Sequence, residues 1–396
     1  MSDRTKIHPL TSTRFIAAFL ILLAHSAGPV PFGFSFSTMT SFILGSAGVA
    51  FFFVLSGFIL TYTYGTLATG TDVRNFWAAR FSRIWPTHAL TFLMCVALLP
   101  AEQWGLGANP LLPGLANVTL THAFVPVPEY YFSFNAPSWT ISTEAGFYLL
   151  YPLAALSLAR RAWLPFVGAV VGVLLMIALT VSLGLPPFGG ETAHSATSHG
   201  MISVHPFTRF FEFACGMFAA RLWMTRTQPE LGTAGFTALE VGAVLLAIAS
   251  VIGFQHLAAA LEVRGLPDAV TLWIHFGSSA IPFAALIYVL ACARGALARV
   301  LSVPFFVLLG EISFAMYMLH QVVLRVMVDR GLQAPPELIW PAFALFVVFI
   351  VGLSYAVWVV VERPARRTLN QLLRRERPRA APHAGAADSD QPALQR

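Results

Sequence analysis

The chain has 396 residues, of which 57% are hydrophobic and only 11% are charged, and its mean hydropathy is +0.71. A water-soluble domain carries about twice that share of charged residues, so the composition excludes an ordinary soluble enzyme and predicts a polytopic membrane protein. The formal net charge of +6 could suggest a nucleic-acid-binding protein. The Lys and Arg residues stand in short clusters between apolar segments, however, which indicates a lipid bilayer as partner and no nucleic acid.

Apolar windows of about 20 residues, long enough to cross a bilayer, predict ten transmembrane helices and an all-α fold. The windows are residues 12–30, 45–64, 85–103, 139–158, 163–184, 206–224, 235–256, 270–292, 302–324 and 338–361. Ten spans put both termini on one side, and 20 of the 24 Lys and Arg residues fall on that side. Because basic residues accumulate on the cytoplasmic side, we expect both termini in the cytoplasm.

The first window carries two polar residues that indicate a functional site. Arg14 stands at one end and His25 deep in the apolar run, eleven positions apart. That spacing is about three helical turns, so both residues share a face and lie about 16 Å apart along the axis. An imidazole inside hydrocarbon is costly and marks a functional site by default. A cleaved signal peptide would remove both residues and reverse the charge pattern, so we keep this segment as a transmembrane helix.

An arginine pair stands at the cytoplasmic end of the third window. Arg80 and Arg83 are three residues apart and therefore share a helical face, beside Trp77 and Trp85. Paired guanidinium groups suit a phosphate-bearing ligand. Anchoring by the positive-inside effect is the alternative explanation.

The fourth window begins with Trp139 and carries Glu144 about five residues from its outer end. His25 lies at a similar distance from the outer end of the first window, so both side chains are expected about 8 Å below the same surface. A carboxylate and an imidazole at one depth can form a general base and its orienting partner. A structural buried pair is the alternative.

Other polar positions inside the windows are weaker candidates. Gly57 beside Ser56 indicates close helix packing. Arg209 and Glu212 are three apart and can pair on one helical face. Tyr317 and His320 stand in the ninth window, and the imidazole of His320 is expected at roughly the depth of His25.

The remaining segments carry little chemistry. His194, His199 and His205 have no regular ligand spacing, so no metal is expected. The three cysteines lack CxxC spacing and are interpreted as buried packing thiols. Residues 366–396 are basic and then rich in Ala and Pro, which predicts a disordered cytoplasmic tail after a transmembrane domain over residues 1–365.

With these elements in order, the chain resembles the membrane-bound acyltransferase family 3, which includes O-acetylases of bacterial surface polysaccharides and macrolide acyltransferases. The elements that carry the resemblance are Arg14 with His25, FFFVLSGFIL at 51–60, ARFSRIWP at 79–86, SWTISTEAGFYLLYP at 138–152, FFEFACGM at 210–217, LGEISFAMYMLH at 309–320 and ERP at 362–364. Phe314 stands where the family usually has another aromatic residue or Tyr. The resemblance implies a bacterial plasma or inner membrane location and about ten helices.

The resemblance also implies an activity, namely transfer of an acyl group from acyl-CoA to a hydroxyl group. It implies that His25 is essential and that Arg14, Arg80 and Arg83 bind acyl-CoA. We therefore expect acetyl-CoA as co-substrate, no permanently bound cofactor, and His25 as general base oriented by Glu144. Direct transfer and a two-step route through an acyl-enzyme both fit, and Ser56 and Trp139 are candidates for the oxyanion donor.

The acceptor is expected to be a carbohydrate, such as a surface polysaccharide, lipopolysaccharide or exopolysaccharide. A macrolide or another small metabolite is the alternative acceptor. A sugar or anion transporter is the alternative of a different class, although such a protein would be expected to have repeat symmetry or discontinuous helices. The oligomeric state is left open.

Overall fold

The computed structural model describes residues 6–27, 31–33, 38–105, 107 and 109–374. Within these residues the chain forms helices and no β-strand, which confirms the all-α class. The α-helices are α1 His8–His25, α2 Thr38–Tyr64, α3 Gly70–Leu98, α4 Leu111–Val118, α5 Pro128–Tyr131, α6 Trp139–Arg160, α7 Leu164–Ser182, α8 Pro206–Thr225, α9 Thr233–Val263, α10 Asp268–Gly277, α11 Ala280–Ala291, α12 Ala296–Leu301, α13 Pro304–Asp329, α14 Ile339–Val357 and α15 Arg363–Leu373.

Each predicted window overlaps a helix, and the window at 270–292 is divided between α10 and α11. Six segments of the described chain are long and apolar enough to cross a membrane. These are Ile43–Tyr64, Leu164–Ser182, Thr233–Val263, Asp268–Ala291, Pro304–Asp329 and Pro336–Leu373. The protein is therefore a multi-pass membrane protein by composition, whereas ten spans and the orientation of the termini stay predictions.

Local sequence signals account for several helix ends. Pro9, Pro206 and Pro304 occupy the first turns of α1, α8 and α13, where a missing backbone N–H costs nothing. Thr69 caps α3 by accepting from the backbone N–H of Asp72 at 3.1 Å. Because α3 begins at Gly70, its arginine pair lies within one continuous helix rather than in a loop before it.

The centre of the bundle is held by close backbone approaches. A Cβ atom on Gly57 of α2 would overlap the carbonyl oxygen of Phe213 in α8, and one on Gly216 would overlap the carbonyl oxygen of Val54. Such approaches let helix backbones pack closely in a membrane, where small residues line helix interfaces. The expected packing role of Gly57 is confirmed.

Helix α1 lies between α2 and α13. Gly45 of α2 faces Ala24, and Gly48 faces Ile21, so α1 and α2 are antiparallel. Gly310 of α13 lies against Thr11, whereas a residue ten positions later, His320, contacts His25; α1 and α13 are therefore parallel. These pairs of facing residues therefore give the relative positions of the site residues along the bundle axis.

The C-terminal segment differs in part from the expectation. A π-helical turn, Trp358–Glu362, ends α14 and leads directly into α15, which packs against α3. The prediction of a disordered tail from residue 366 is wrong for residues 366–373, because this stretch is an amphipathic helix supported by tertiary contact. Residues 375–396 lie outside the described residues.

Candidate active site

A cavity of about 540 Å³ lies between α1, α2, α3, α6, α13 and the α14–α15 junction. Its cationic lining residues are Lys6, Arg14, Arg80, Arg83, Arg363 and Arg366. The opposite part of the lining is aromatic and aliphatic and includes Phe52, Phe53, Val49 and Tyr317. The cavity is thus a cleft with a basic end and an apolar end, which suits an elongated anionic ligand with an apolar tail.

The three arginines predicted to bind phosphate do meet in this cavity. Arg80 donates to the hydroxyl of Tyr64 at 2.9 Å, and its guanidinium also lies over the ring of Tyr148. Arg83 forms an ion pair with Glu362 and lies over the ring of Phe314. Arg14 has no hydrogen bond or ion pair within the described part of the chain, so its donors are available to a ligand in the cavity.

Glu144 also lines this cavity, but it does not contact His25. Its carboxylate accepts a hydrogen bond of 2.6 Å from Ser56 Oγ. Ser56 lies eight residues beyond Gly48 on α2, about 12 Å towards the basic end. Arg14 lies seven residues from Ile21, the partner of Gly48, in the same direction. Glu144 is therefore near the level of Arg14, and the expected pairing of Glu144 with His25 at equal depth is wrong.

The error arises from where α6 begins. The segment before α6 dips into the bundle, since Asn135 donates to the carbonyl of Met318 and Tyr317 donates to the carbonyl of Pro137. Met318 is eleven residues before the end of α13, about 16 Å along its axis. Counting from the outer end of the window thus placed Glu144 too close to the surface.

The partner of His25 is His320. Nδ1 of His25 lies 2.8 Å from Nε2 of His320, and the planes of the two rings are nearly parallel, at an angle of 7°. His25 is exposed, whereas His320 is buried. The expectation that both imidazoles stand at one depth is confirmed, and the pair joins the C-terminal end of α1 to the interior of the parallel helix α13.

The surroundings of His320 select one arrangement of protons on this pair. Nδ1 of His320 lies 3.3 Å from the carbonyl oxygen of Met316, which can only accept. A neutral His320 that donates there has an unprotonated Nε2, which accepts the N–H at Nδ1 of His25. Nε2 of His25 is then left without a proton and can serve as a general base.

Tyr317 and Phe52 stand between the cavity and the histidine pair. Tyr317 lines the cavity, and its ring centroid lies 6.0 Å from that of Phe52 and 5.8 Å from that of His320. Among the described residues, the lining includes neither His25 nor His320. These two aromatic rings therefore close the apolar end of the cavity below the imidazoles.

The two candidate oxyanion donors are placed differently. Ser56 has one hydroxyl proton and donates it to Glu144, so it is not available to a second acceptor in this arrangement. Trp139 contacts Phe53 edge to face at 6.3 Å and is not part of the cavity lining among the described residues. Neither residue is positioned as an oxyanion donor here.

Arg209 and Glu212 form the expected ion pair, at 2.8 Å, but away from the cavity lining. Both side chains are 1% exposed, and the guanidinium lies between the rings of Phe53 and Phe276. In the neighbouring loop, burial and, to a smaller extent, the charge of Arg209 lower the pKa of His199 to about 4. The ion pair of Arg209 and Glu212 is therefore buried behind Phe53, whose side chain lines the cavity.

Three cationic lining residues were not singled out in the sequence, namely Lys6, Arg363 and Arg366. Lys6 precedes the first apolar window, and the two arginines follow the tenth, so they appeared to be membrane-flanking charges. The sequence did offer one indication of the two arginines, because the ERP motif at 362–364 is followed directly by ARR at 365–367. Only the tertiary fold brings both ends of the described part of the chain to one cavity.

A family model described as "Acyltransferase domain" matches residues 9–359. The chain belongs to acyltransferase family 3. The match spans every helix that lines the cavity except α15, and it confirms the resemblance noted in the sequence. The protein is therefore a membrane acyltransferase of this family.

Curated relatives agree with this family. Acyltransferase MdmB of Streptomyces mycarofaciens is 30% identical, over 81% of this chain and 79% of the relative. Exopolysaccharide production protein ExoZ of Rhizobium meliloti is 29% identical, over 82% and 91% of the two chains. O-acetyltransferase OatA of Staphylococcus aureus is 26% identical, over 70% of this chain but 45% of its own length. No solved structure matches the chain.

Proposed function

We propose that this acyltransferase moves an acyl group, most simply acetyl, from acyl-CoA to a hydroxyl group of a carbohydrate acceptor. The observation that carries the donor assignment is the cavity, whose basic end holds Arg14, Arg80 and Arg83 and whose apolar end points to the histidine pair. Phosphates at the basic end would leave the pantetheine arm to run along Phe52 and Tyr317 towards His25. The axial distance from Arg14 to His25, about 16 Å, is the length this arm has to cover.

In the proposed reaction, Nε2 of His25 accepts the proton of the acceptor hydroxyl. The hydroxyl oxygen attacks the thioester carbonyl carbon, the carbon–sulfur bond breaks, and the imidazolium returns the proton to the thiolate to give free CoA. His320 holds His25 in the required tautomer through the 2.8 Å contact. For the thioester to reach the imidazole, the rings of Phe52 and Tyr317 have to separate.

The carbohydrate acceptor is supported by one relative, which is named for exopolysaccharide production and is covered over 91% of its length. In addition, His25 is exposed at the end of α1, where an acceptor can approach without passing the basic end of the cavity. A small metabolite such as a macrolide is the second acceptor class that this arrangement accommodates.

The decisive test measures release of the CoA thiol from acetyl-CoA by the purified full-length protein with a panel of glycan and macrolide acceptors. Because general base catalysis contributes about 10²–10⁴-fold, we expect His25→Ala to lower kcat at least 100-fold. Arg14→Gln should raise the KM for acetyl-CoA about tenfold with little change in kcat, since it removes charge-assisted contacts to phosphate.

His256→Ala is the matched control, because His256 is an exposed histidine of α9 outside the cavity lining. It should retain wild-type activity. Full thiol release by a correctly folded His25→Ala protein would exclude His25 as the base. Absence of both CoA binding and acceptor-dependent thiol release in the wild type would exclude acyl-CoA as the donor.

A further inference from the structure

The mouth of the cavity carries a second set of cations beyond the predicted arginines. Lys6, Arg363 and Arg366 line the cavity and are exposed, whereas Arg14, Arg80 and Arg83 are only partly exposed. The basic residues therefore form two tiers, an inner tier and an outer rim. The rim is contributed by both ends of the described chain.

Charge pairing within the cavity leaves part of the rim available. Lys6 is paired with Glu311 at 2.6 Å, and Arg83 of the inner tier is paired with Glu362. The guanidinium groups of Arg363 and Arg366 form no ion pair or hydrogen bond with another described residue; the backbone carbonyl of Arg366 accepts from Asn370 Nδ2. They are three residues apart on α15 and therefore share the face that looks into the cavity.

The π-helical turn before α15 sets this arrangement. It brings Trp358 and Glu362 to the cavity wall, and the guanidinium of Arg363 lies 4.6 Å from the centroid of the Trp358 ring. Single π-helical turns are rare and are frequent at functional sites. The rim thus combines two guanidinium groups with a half-buried aromatic ring.

The covalent order of acyl-CoA relates the two tiers to two phosphate groups. The thioester and pantetheine arm come first, the pyrophosphate follows, and the adenosine with its 3′-phosphate comes last. If the arm reaches towards His25, the pyrophosphate falls at the inner tier and the 3′-phosphate at the rim. A phosphate monoester carries about two negative charges at neutral pH, and arginine binds such a group in a bidentate manner.

We propose that Arg363 and Arg366 bind the 3′-phosphate of the CoA nucleotide, with Trp358 available to stack on the adenine, so that the rim selects 3′-phosphorylated thioesters. This inference rests on the proposed use of acyl-CoA. Aromatic side chains stack on nucleobases without sequence-specific contacts, which is what recognition of one invariant base requires.

The test compares acetyl-CoA with acetyl-3′-dephospho-CoA as donors for the full-length protein. The wild type should prefer acetyl-CoA at least tenfold in kcat/KM. Arg366→Gln should lower kcat/KM for acetyl-CoA about tenfold and leave the value for the dephospho donor unchanged, because only the first donor has lost a contact. Raising the salt concentration should weaken the wild-type preference.

Arg367→Gln is the matched control, since Arg367 is an exposed arginine on the same helix outside the cavity lining. It should keep the wild-type preference. Binding of CoA and of 3′-dephospho-CoA, measured by calorimetry without turnover, should show the same discrimination and the same loss in Arg366→Gln.

Equal use and equal binding of the two donors by the wild type would overturn this inference while leaving the proposed function intact. An equal effect of Arg366→Gln on the kcat/KM of both donors would also overturn it. If that equal effect appeared only in nanodiscs containing anionic lipid, it would indicate that Arg366 contacts a lipid headgroup instead. Failure of the wild type to bind CoA at all would instead overturn the proposed donor, and this inference with it.

Discussion

The contact between His25 and His320 decides which nitrogen of His25 can accept a proton. Nδ1 of His25 lies 2.8 Å from His320, and Nδ1 of His320 faces the carbonyl of Met316. Because the carbonyl is an acceptor only, the chain of hydrogen bonds runs in one direction and ends with a bare Nε2 on His25. In the proposed reaction His320 is thus a positioning residue, not a group that touches the substrate.

This role predicts different outcomes for two substitutions of similar bulk. His320→Gln keeps an amide oxygen that can accept the N–H of His25, so we expect kcat within about tenfold of wild type. His320→Phe keeps the ring but removes the acceptor, and we expect kcat to fall roughly 100-fold with an unchanged KM for acetyl-CoA. Steady-state kinetics on both variants makes the comparison.

The pH profile separates positioning from a merely structural role. Loss of the acceptor should shift the acidic limb of the kcat profile in His320→Phe, because that limb reports protonation of His25 in the complex. Equal activity and equal pH profiles for the two variants would show that His320 does not orient His25.

At the scale of helices, α2 and α8 approach each other closely at two glycines. Gly57 and Gly216 bring the two backbones so close that an added Cβ atom would overlap a carbonyl oxygen. A carbonyl in a helix cannot move aside as a flexible side chain can. The helices would have to separate, and Ser56 and Phe53 of α2 would move with them, opening the cavity wall.

We therefore expect Gly57→Ala to lower the free energy of unfolding by about 1–3 kcal/mol, as overpacking does in cores. Gly242→Ala is the control, because Gly242 is an exposed helical glycine of α9 with no atom within 4 Å of an added Cβ. That change should be neutral or stabilising by about 1 kcal/mol, the helix propensity difference. Thermal unfolding in detergent measures both; equal midpoints would contradict the close-contact explanation.

The helices also explain which predictions could be made from sequence. Hydrophobic windows located the helices, because apolar runs of about 20 residues have few other stable arrangements. The residue types Arg14, Arg80, Arg83 and His25 were identifiable, because charges and imidazoles are costly in hydrocarbon. Helix type and polar residue identity are local properties, so a single sequence carries them.

Depth and pairing were not predictable in the same way. Glu144 was placed beside His25 because α6 was assumed to begin at the surface, whereas contacts of Asn135 and Pro137 with α13 hold its start deep in the bundle. The cations of α15 were missed because they approach Lys6 only through the fold. Both errors concern which helices are neighbours, and that depends on contacts between residues far apart in sequence.

For the whole molecule, the position of the cavity relates the orientation of the helix bundle in the membrane to the entry of the donor. Its basic mouth is formed by the start of α1, the end of α2 and the α14–α15 junction, which therefore lie at one end of the bundle. A donor made in the cytoplasm can enter only if that end faces the cytoplasm. The charge distribution of the sequence predicts the same orientation, with 20 of 24 basic residues on this side.

Two matched cysteine substitutions test this orientation. Glu191 precedes α8 and Glu230 follows it, both are exposed glutamates, and α8 connects their two sides. In a Cys292→Ser background, which leaves only the buried Cys95 and Cys215, we expect a membrane-impermeant maleimide to label Glu191→Cys in intact cells. Glu230→Cys should be labelled only after permeabilisation.

The Tyr64 end of α2 and the C-terminal end of α8 flank the same basic mouth. The opposite labelling pattern would therefore show that the mouth faces away from the cytoplasm. Such a result would contradict both the predicted termini and the route proposed for acyl-CoA, whereas the expected pattern would leave His25 towards the outer side, where a surface carbohydrate can reach it.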